Sequence, residues 1–159
     1  MKTNWQNKTA LVTGASSGIG AATARQLARS ELRVILVARR LERLLELKTE
    51  IESAGGKAEV IAADLGSENE RLRIFKQVPE VDVLVNNAEL GWYGYFNEMP
   101  WETVREMLQV NIGATAHLSS LFLPGMRTRN AGHIINVGLI SGSIPNQGIA
   151  MYAASKSLK

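Results

Sequence analysis

Short runs of apolar, mostly β-branched residues alternate with longer segments of helical periodicity along the chain. The short runs predict strands at residues 9–13, 33–37, 57–62, 81–85 and 133–137. The segments between them predict helices at residues 18–29, 41–53, 68–77 and 101–129. The longest helix is predicted to bend at Gly113 or to break near Pro124 and Gly125, and a last helix to begin near Tyr152.

This alternation of strands and helices predicts an α/β fold with a doubly wound parallel sheet that carries helices on both faces. Because crossovers between parallel strands are right-handed, few topologies remain, and we expect the strand order 3-2-1-4-5. The sequence shows no linker, repeat or low-complexity stretch, so we expect residues 1–159 to form a single domain.

Composition and charge narrow the class of protein. With 45% hydrophobic and 21% charged residues, a disordered or collagen-like chain is excluded. Cysteine is absent, which excludes disulfides and thiolate metal sites, and we expect no metal. The net charge of +3 is not clustered, so we expect no nucleic-acid partner. No apolar run approaches the ~18 residues of a membrane span, and the polar N-terminus does not resemble a secretory signal. We therefore expect a cytoplasmic protein without a membrane partner.

The first predicted strand leads into a loop that contains three glycines before the first helix. Glycine tolerates positive φ and lets the backbone approach a ligand, while the helix N-terminus offers N–H groups to a pyrophosphate. This spacing predicts a dinucleotide-binding loop. Its residues are Gly14, Ser16, Ser17, Gly18, Ile19 and Gly20. The alternative is a tight turn whose small residues serve packing alone.

Four motifs, in chain order, resemble those of the short-chain dehydrogenase/reductase family. Residues 13–20 resemble its cofactor loop, and Asn86-Asn87-Ala88 resembles its Asn-Asn-Ala-Gly after the fourth strand. Asn111 resembles its helix asparagine, and residues 152–156 match its Tyr-x-x-x-Lys. The resemblance covers nearly the whole chain. It implies a Rossmann-type fold, a cofactor held in part by Asn87 and Ala88, and hydride transfer between a nicotinamide and a carbonyl or secondary alcohol of a small-molecule substrate.

The resemblance also implies catalytic roles. Tyr152 and Lys156 stand at i and i+4, so they share one helix face. A nearby ammonium stabilises a phenolate and lowers the pKa of a tyrosine. Tyr152 is implied to exchange a proton with the substrate oxygen, Lys156 to hold the nicotinamide ribose, and Asn111 to hold a water relay to the lysine. For Asn111 the alternative is an amide whose partners are neighbouring backbone groups.

The residues after the second and third strands indicate which nicotinamide cofactor is preferred. Arg39 directly follows the second strand, and residues 34–41 contain no Asp or Glu. An acidic residue there would take the ribose hydroxyls of NAD, whereas arginine suits a 2′-phosphate, so NADP(H) is preferred and NAD(H) stays possible. After the third strand come Asp64 and Leu65. Asp64 resembles the family's aspartate near the adenine, with a turn or N-cap role before Ser67 as an equal alternative.

Two positions depart from the family pattern. The family's serine, thirteen residues before the tyrosine, is Leu139 here. Ser141 would lie ~6.6 Å further along an extended strand and is not expected to replace it without rearrangement. Glu89 stands where glycine usually follows Asn-Asn-Ala, which brings strain if φ is positive and charge near the cofactor phosphates. The alternative is a carboxylate turned to solvent, with Gly91 or Gly94 giving the loop its freedom.

The chain ends three residues after Lys156, so we expect a truncated domain that lacks the last strand or strands. The resemblance implies a homo-oligomer. Two functions are predicted. The first is an NADP(H)-dependent oxidoreductase, and the second is a catalytically impaired nucleotide-binding or assembly module.

A group of aromatic residues follows the fourth strand. One interpretation is that they line a pocket mouth for an apolar substrate, and an equal alternative is that they serve surface packing or a subunit contact. They are Trp92, Tyr93, Tyr95 and Phe96.

Overall fold

Five parallel strands form one sheet in the computed structural model, which describes residues 5–144 and 147–157. The strands are β1 (Thr9–Thr13), β2 (Arg33–Ala38), β3 (Lys57–Ala62), β4 (Val83–Asn86) and β5 (His133–Asn136). Their order is β3-β2-β1-β4-β5, and each neighbouring pair is parallel. The predicted doubly wound sheet is confirmed. The two ends of the chain, at residues 1–4 and 158–159, lie outside the described residues.

Helices cover both faces of the sheet. They are α1 (Gly18–Arg29), α2 (Leu41–Ser53), α3 (Glu68–Gln77), α4 (Trp101–Met107), α5 (Thr115–Thr128) and α6 (Ala150–Lys156). One core lies between the sheet and α1 with α2, and the other between the sheet and α3 with α5. β1 and β2 are apolar along most of their length because both of their faces are covered. Within the described part of the chain, no helix is long and apolar enough to cross a membrane.

The long helix predicted over 101–129 is continuous but changes its winding. Residues Leu108–Ala114 form a π-helical segment between α4 and α5, and Gly113 lies inside it. The predicted break at Pro124 is wrong, because Pro124 lies within α5. Proline removes one helical hydrogen bond, but Phe122 and Met126 on either side are buried against the sheet and hold the helix together.

A cluster of hydrogen bonds around Thr13 joins the carboxyl ends of β1 and β4. The Thr13 hydroxyl donates to the Val85 carbonyl (3.1 Å) and accepts from the N–H groups of Asn87 (2.9 Å) and Ala88 (3.0 Å). The Asn87 amide donates in return to the carbonyls of Thr13 (2.9 Å) and Gly14 (3.3 Å). The strand order reverses between β1 and β4, where a doubly wound sheet opens a crevice. These bonds therefore fix the two loops that border the crevice.

We predict that Thr13→Val lowers the free energy of unfolding by about 2–4 kcal/mol. Valine keeps the shape of threonine but removes the hydroxyl that bonds the partly buried N–H groups of Asn87 and Ala88 and the carbonyl of Val85, at about 1–3 kcal/mol for each bond before relaxation. Urea unfolding followed by circular dichroism measures the change. The matched control is Thr49→Val on the exposed side of α2, where the hydroxyl donates to the Leu45 carbonyl (3.0 Å). The expected change for this control is below about 0.5 kcal/mol. Equal effects of the two substitutions would contradict the assigned role of Thr13.

Candidate active site

A cleft of about 560 Å³ opens at the carboxyl edge of the sheet, and every strand contributes residues to its lining. They are the glycine loop after β1, Arg39 and Arg40 after β2, Asp64 and Leu65 after β3, residues 87–90 after β4 and residues 137–139 after β5. The structure thus brings together most of the cofactor residues proposed from the sequence. Gly20, Tyr152 and Lys156 do not belong to this lining.

The three glycines of the loop meet two different requirements. A Cβ on Gly14 would lie 2.8 Å from the Ala88 Cα, and one on Gly20 would lie 2.5 Å from the Asn87 amide nitrogen, so both permit close packing. Gly18 has a φ of +55°, and nothing lies within 4 Å of its Cβ position. Packing therefore accounts for Gly14 and Gly20, of which Gly14 also has a positive φ of +65°, while Gly18 leaves open space beside the loop.

The N-terminus of α1 faces this space. Ser17 is its N-cap residue, in an extended conformation and with no side-chain cap hydrogen bond to the helix. The first N–H groups of a helix lack intrahelical partners and attract anions. The loop and the helix start are therefore suited to a phosphate group.

Two guanidinium groups border the loop at the end of β2. Arg40 donates to the hydroxyls of Ser16 (2.9 Å) and Ser17 (2.9 Å), and Arg39 lines the cleft beside it. Sequence reasoning selected Arg39 alone, although the adjacent arginine pair was the available signal for Arg40. Guanidinium groups beside hydroxyls suit the binding of a phosphate monoester.

Asp64 forms a turn and lines the cleft as well. Its carboxylate accepts from the Gly66 N–H (3.0 Å), whereas the N-cap of α3 is Ser67, which accepts from the Glu70 N–H (3.4 Å). The neighbouring Leu65 carbonyl accepts from the buried guanidinium of Arg71 (2.5 Å). Asp64 therefore has the turn role of the second alternative, its predicted N-cap role is wrong, and its place in the cleft lining stays compatible with a contact to the cofactor. The loop that carries it is anchored to α3.

Asn111 lies in the π-helical segment and is fully buried. Its amide oxygen accepts from the Leu90 N–H (2.8 Å), and its amide nitrogen donates to the Leu90 carbonyl (2.9 Å) and to the Ser155 hydroxyl (2.8 Å). The side chain therefore has the backbone partners of the alternative interpretation, and no bond to Lys156. It joins the loop after β4 to α6.

Lys156 is buried at the base of the site. Its side chain has 0% exposure, and its ammonium forms an ion pair with the carboxylate of Glu89. The same nitrogen lies 3.5 Å from the Val137 carbonyl and 5.4 Å from the centre of the Tyr152 ring. The carboxylate of Glu89 thus pairs with the buried lysine, although its side chain stays 44% exposed. Its backbone is not in the left-handed region, so the strain expected at this position is absent, and Gly94 provides a positive φ further along the loop.

The environment of Tyr152 differs from the expected one. Burial, followed by the charge of Glu89 and a hydrogen bond to it, raises the pKa of Tyr152 to about 12. The sequence predicted a lower pKa because of Lys156. That prediction is wrong, because burial is the largest cause and disfavours the phenolate, while Glu89 pairs with Lys156 and is an anion beside the phenol. At neutral pH the phenol keeps its proton.

No residue at 137–139 brings a hydroxyl to the cleft, since these positions are Val137, Gly138 and Leu139. The chain leaves β5 at Asn136 and forms a 3-10 turn over Ile140–Gly142. This turn takes Ser141 off the strand, and its buried hydroxyl makes no hydrogen bond among the described residues.

The aromatic residues after β4 divide into two groups. Trp92 packs with Met99, Met107 and Tyr152 in a small apolar cluster between α4 and α6. Three others have exposed side chains, although Tyr93 lies against Gly148 and Phe96 lines a small cavity beside Trp92. They are Tyr93, Tyr95 and Phe96.

A second concavity of about 440 Å³ lies at the opposite edge of the sheet. Its lining includes Gly55 and Gly56, before β3, and the ion pair between Arg25 and Glu50 (2.7 Å). None of the residues proposed from the sequence for cofactor or catalysis lies there. In open α/β sheets, ligands bind at the carboxyl ends of the strands and not at the opposite edge. This favours the first cleft as the ligand-binding site.

Comparison with known proteins agrees with this geometry. The family model for short chain dehydrogenases matches residues 8–158. The very-long-chain 3-oxoacyl-CoA reductase of Anas platyrhynchos is 36% identical over 156 residues, which cover 93% of this chain and 50% of that protein. The chain thus spans about half the length of this curated relative.

Solved structures of short-chain oxidoreductases are also similar to this chain. A metagenomic short-chain oxidoreductase in complex with NADP has 38% sequence identity and a TM-score of 0.90, with 97% of this chain and 72% of that one covered. A 3-oxoacyl (acyl-carrier-protein) reductase from Agrobacterium tumefaciens with NADP bound has 30% identity and a TM-score of 0.92, with 98% and 61% covered. On its motifs, its sheet order and these matches, the chain belongs to the short-chain dehydrogenase family.

Proposed function

We propose that this chain binds NADP(H) in the cleft at the carboxyl edge of the sheet and acts as an oxidoreductase on a small-molecule carbonyl or secondary alcohol. The observation that carries the proposal is the lining of the cleft, which brings the glycine loop, with Gly18, together with Arg39 and Arg40. Two structural relatives with NADP bound support this choice of cofactor.

The residues of the cleft fit the phosphate-bearing part of such a cofactor. The N–H groups of the glycine loop and of the α1 start would hold the diphosphate, and Arg39 with Arg40 would hold the 2′-phosphate. Asp64, Asn87 and Ala88, which line the same cleft, would contact the rest of the cofactor. When bound, the nicotinamide supplies or accepts the hydride.

Tyr152 has the role of proton donor in carbonyl reduction. As a hydride reaches the carbonyl carbon, the electron pair of the C=O π bond moves to oxygen, which takes the proton of the Tyr152 hydroxyl. A pKa of about 12 keeps that proton in place at neutral pH, although it makes the phenol a weak acid. Leu139 offers no second donor to the oxygen, and one such donor is commonly worth ~10²–10³ in rate.

A second function is a nucleotide-binding module with little catalytic activity. Two observations favour it. Leu139 stands in place of a hydroxyl donor, and the ammonium of Lys156 is engaged in an ion pair with Glu89. Both functions require the same cleft, and they differ in whether Tyr152 turns over a substrate.

We predict that Arg39→Ala and Arg40→Ala each weaken NADPH binding at least about tenfold and leave NADH binding within about twofold, because only NADPH carries the 2′-phosphate. Calorimetric titration of the 159-residue chain with each nucleotide measures both constants. The control is Arg105→Ala on exposed α4, where the guanidinium pairs with Glu102 (2.6 Å). Equal losses for the two nucleotides would contradict a 2′-phosphate site.

We also predict that Leu139→Ser raises NADPH-dependent reduction of a panel of ketones and aldehydes at least about tenfold, because the serine restores a donor to the substrate oxygen. The loss of NADPH absorbance measures the rate. Tyr152→Phe in the Leu139→Ser background should return the rate to that of buffer while NADPH affinity stays within about twofold. A rate that Tyr152→Phe leaves unchanged would favour the second function.

A further inference from the structure

Glu89 lies between the cleft and the buried lysine. Its carboxylate lines the cleft and its side chain is 44% exposed, whereas the side chain of Lys156 has 0% exposure. The two charged groups form an ion pair. Anything bound in the cleft therefore meets the carboxylate first and the ammonium only behind it.

We propose that Glu89 is an internal ligand of Lys156: its carboxylate covers the ammonium from the cleft side, and a nucleotide reaches Lys156 only by displacing it. This inference rests on the proposed function, because it concerns the same cleft. Glu89 is then a positioning residue, because it decides whether the ammonium of Lys156 is accessible to a ligand in the cleft.

The burial of Lys156 explains why the ion pair forms. A buried ammonium is unfavourable unless it is paired and hydrogen-bonded. The other oxygen near it, the Val137 carbonyl at 3.5 Å, is a weak partner at that distance. The carboxylate of Glu89 thus provides the compensation, and the pair leaves the deep end of the cleft with no net charge instead of one positive charge.

The backbone around Glu89 is held in place. The next residue, Leu90, forms hydrogen bonds with Asn111 through both its N–H (2.8 Å) and its carbonyl (2.9 Å). Asn111 is fully buried. Because the loop is fixed at Leu90 and the Glu89 side chain is half exposed, rotation of that side chain is the available way to uncover Lys156.

This arrangement has a consequence for affinity. If the ammonium is accessible in only a fraction of molecules, the apparent dissociation constant of a ligand that needs it rises in inverse proportion to that fraction. Removal of the carboxylate should therefore tighten the binding of a nucleotide, and the gain should depend on Lys156.

The test is a double-mutant cycle on the 159-residue chain, with NADPH affinity measured by calorimetric titration. Glu89→Gln and Glu89→Gly should each tighten binding at least about tenfold. In Glu89→Gln/Lys156→Met the gain should disappear. Glu98→Gln is the matched control, because it removes an exposed carboxylate of the same loop, and it should change affinity by less than about twofold. Circular dichroism verifies that each variant is folded.

Two results would overturn the inference while the proposed function stands. The first is NADPH binding that is equal in the wild type and in the Glu89 variants. The second is a gain that persists with Lys156→Met, which would mean that Glu89 repels the nucleotide directly. The proposed function fails instead if no variant binds any nicotinamide nucleotide.

A second measurement tests the contact without a nucleotide. The ionisable groups that act on Tyr152 among the described residues are Glu89, from the loop after β4, and Lys156, from its own helix. Ultraviolet titration of the wild type minus Tyr152→Phe isolates this phenol. Glu89→Gln should lower its midpoint below that of the wild type, because the negative charge beside the phenol is lost while burial, the largest cause of the raised pKa, remains. A midpoint that does not move overturns the inference.

Discussion

The cleft depends on the hydrogen bonds that connect Thr13, at the end of β1, to the loop after β4. A parallel sheet brings all strand carboxyl ends to one edge, but it leaves the loops there free to diverge where the strand order reverses. Thr13 and Asn87 prevent this with bonds in both directions between the two loops. The close approach is possible because Gly14 and Gly20 have no side chain at the point of contact. The glycine pattern and the Asn-Asn-Ala motif thus describe one structural unit.

A second constraint acts at the deep end of the cleft. Lys156 is buried, so it needs an anion, and Glu89 provides one from the loop that Asn111 anchors. Burial and, after it, the same carboxylate raise the pKa of Tyr152, so the phenol keeps its proton at neutral pH. The charge balance of the site therefore depends on Glu89 as much as on the tyrosine and lysine that the motif identifies.

The sequence predicted the parts of the structure that depend on local periodicity and on backbone conformation. The strands, their order and the glycine loop follow from buried apolar runs and from glycines at defined spacing. Contacts between residues that are distant in the sequence could not be predicted in the same way. That Glu89 faces Lys156, sixty-seven positions away, depends on the packing of α6 against the loop after β4, and no local pattern carries that information. The same holds for Arg40, which contacts Ser16 and Ser17 across the strand ends, and for Pro124, whose helix is held by tertiary packing.

The central claim is that a nicotinamide nucleotide binds at the carboxyl edge of the sheet. It is tested most directly by titration of the ¹⁵N-labelled chain with NADPH, followed through glycine amide signals in two-dimensional NMR. The signals of Gly14, Gly18 and Gly20 should shift most, while those of Gly55 and Gly56 at the opposite concavity stay in place. Largest shifts at Gly55 and Gly56, or no shift at any glycine, would contradict it.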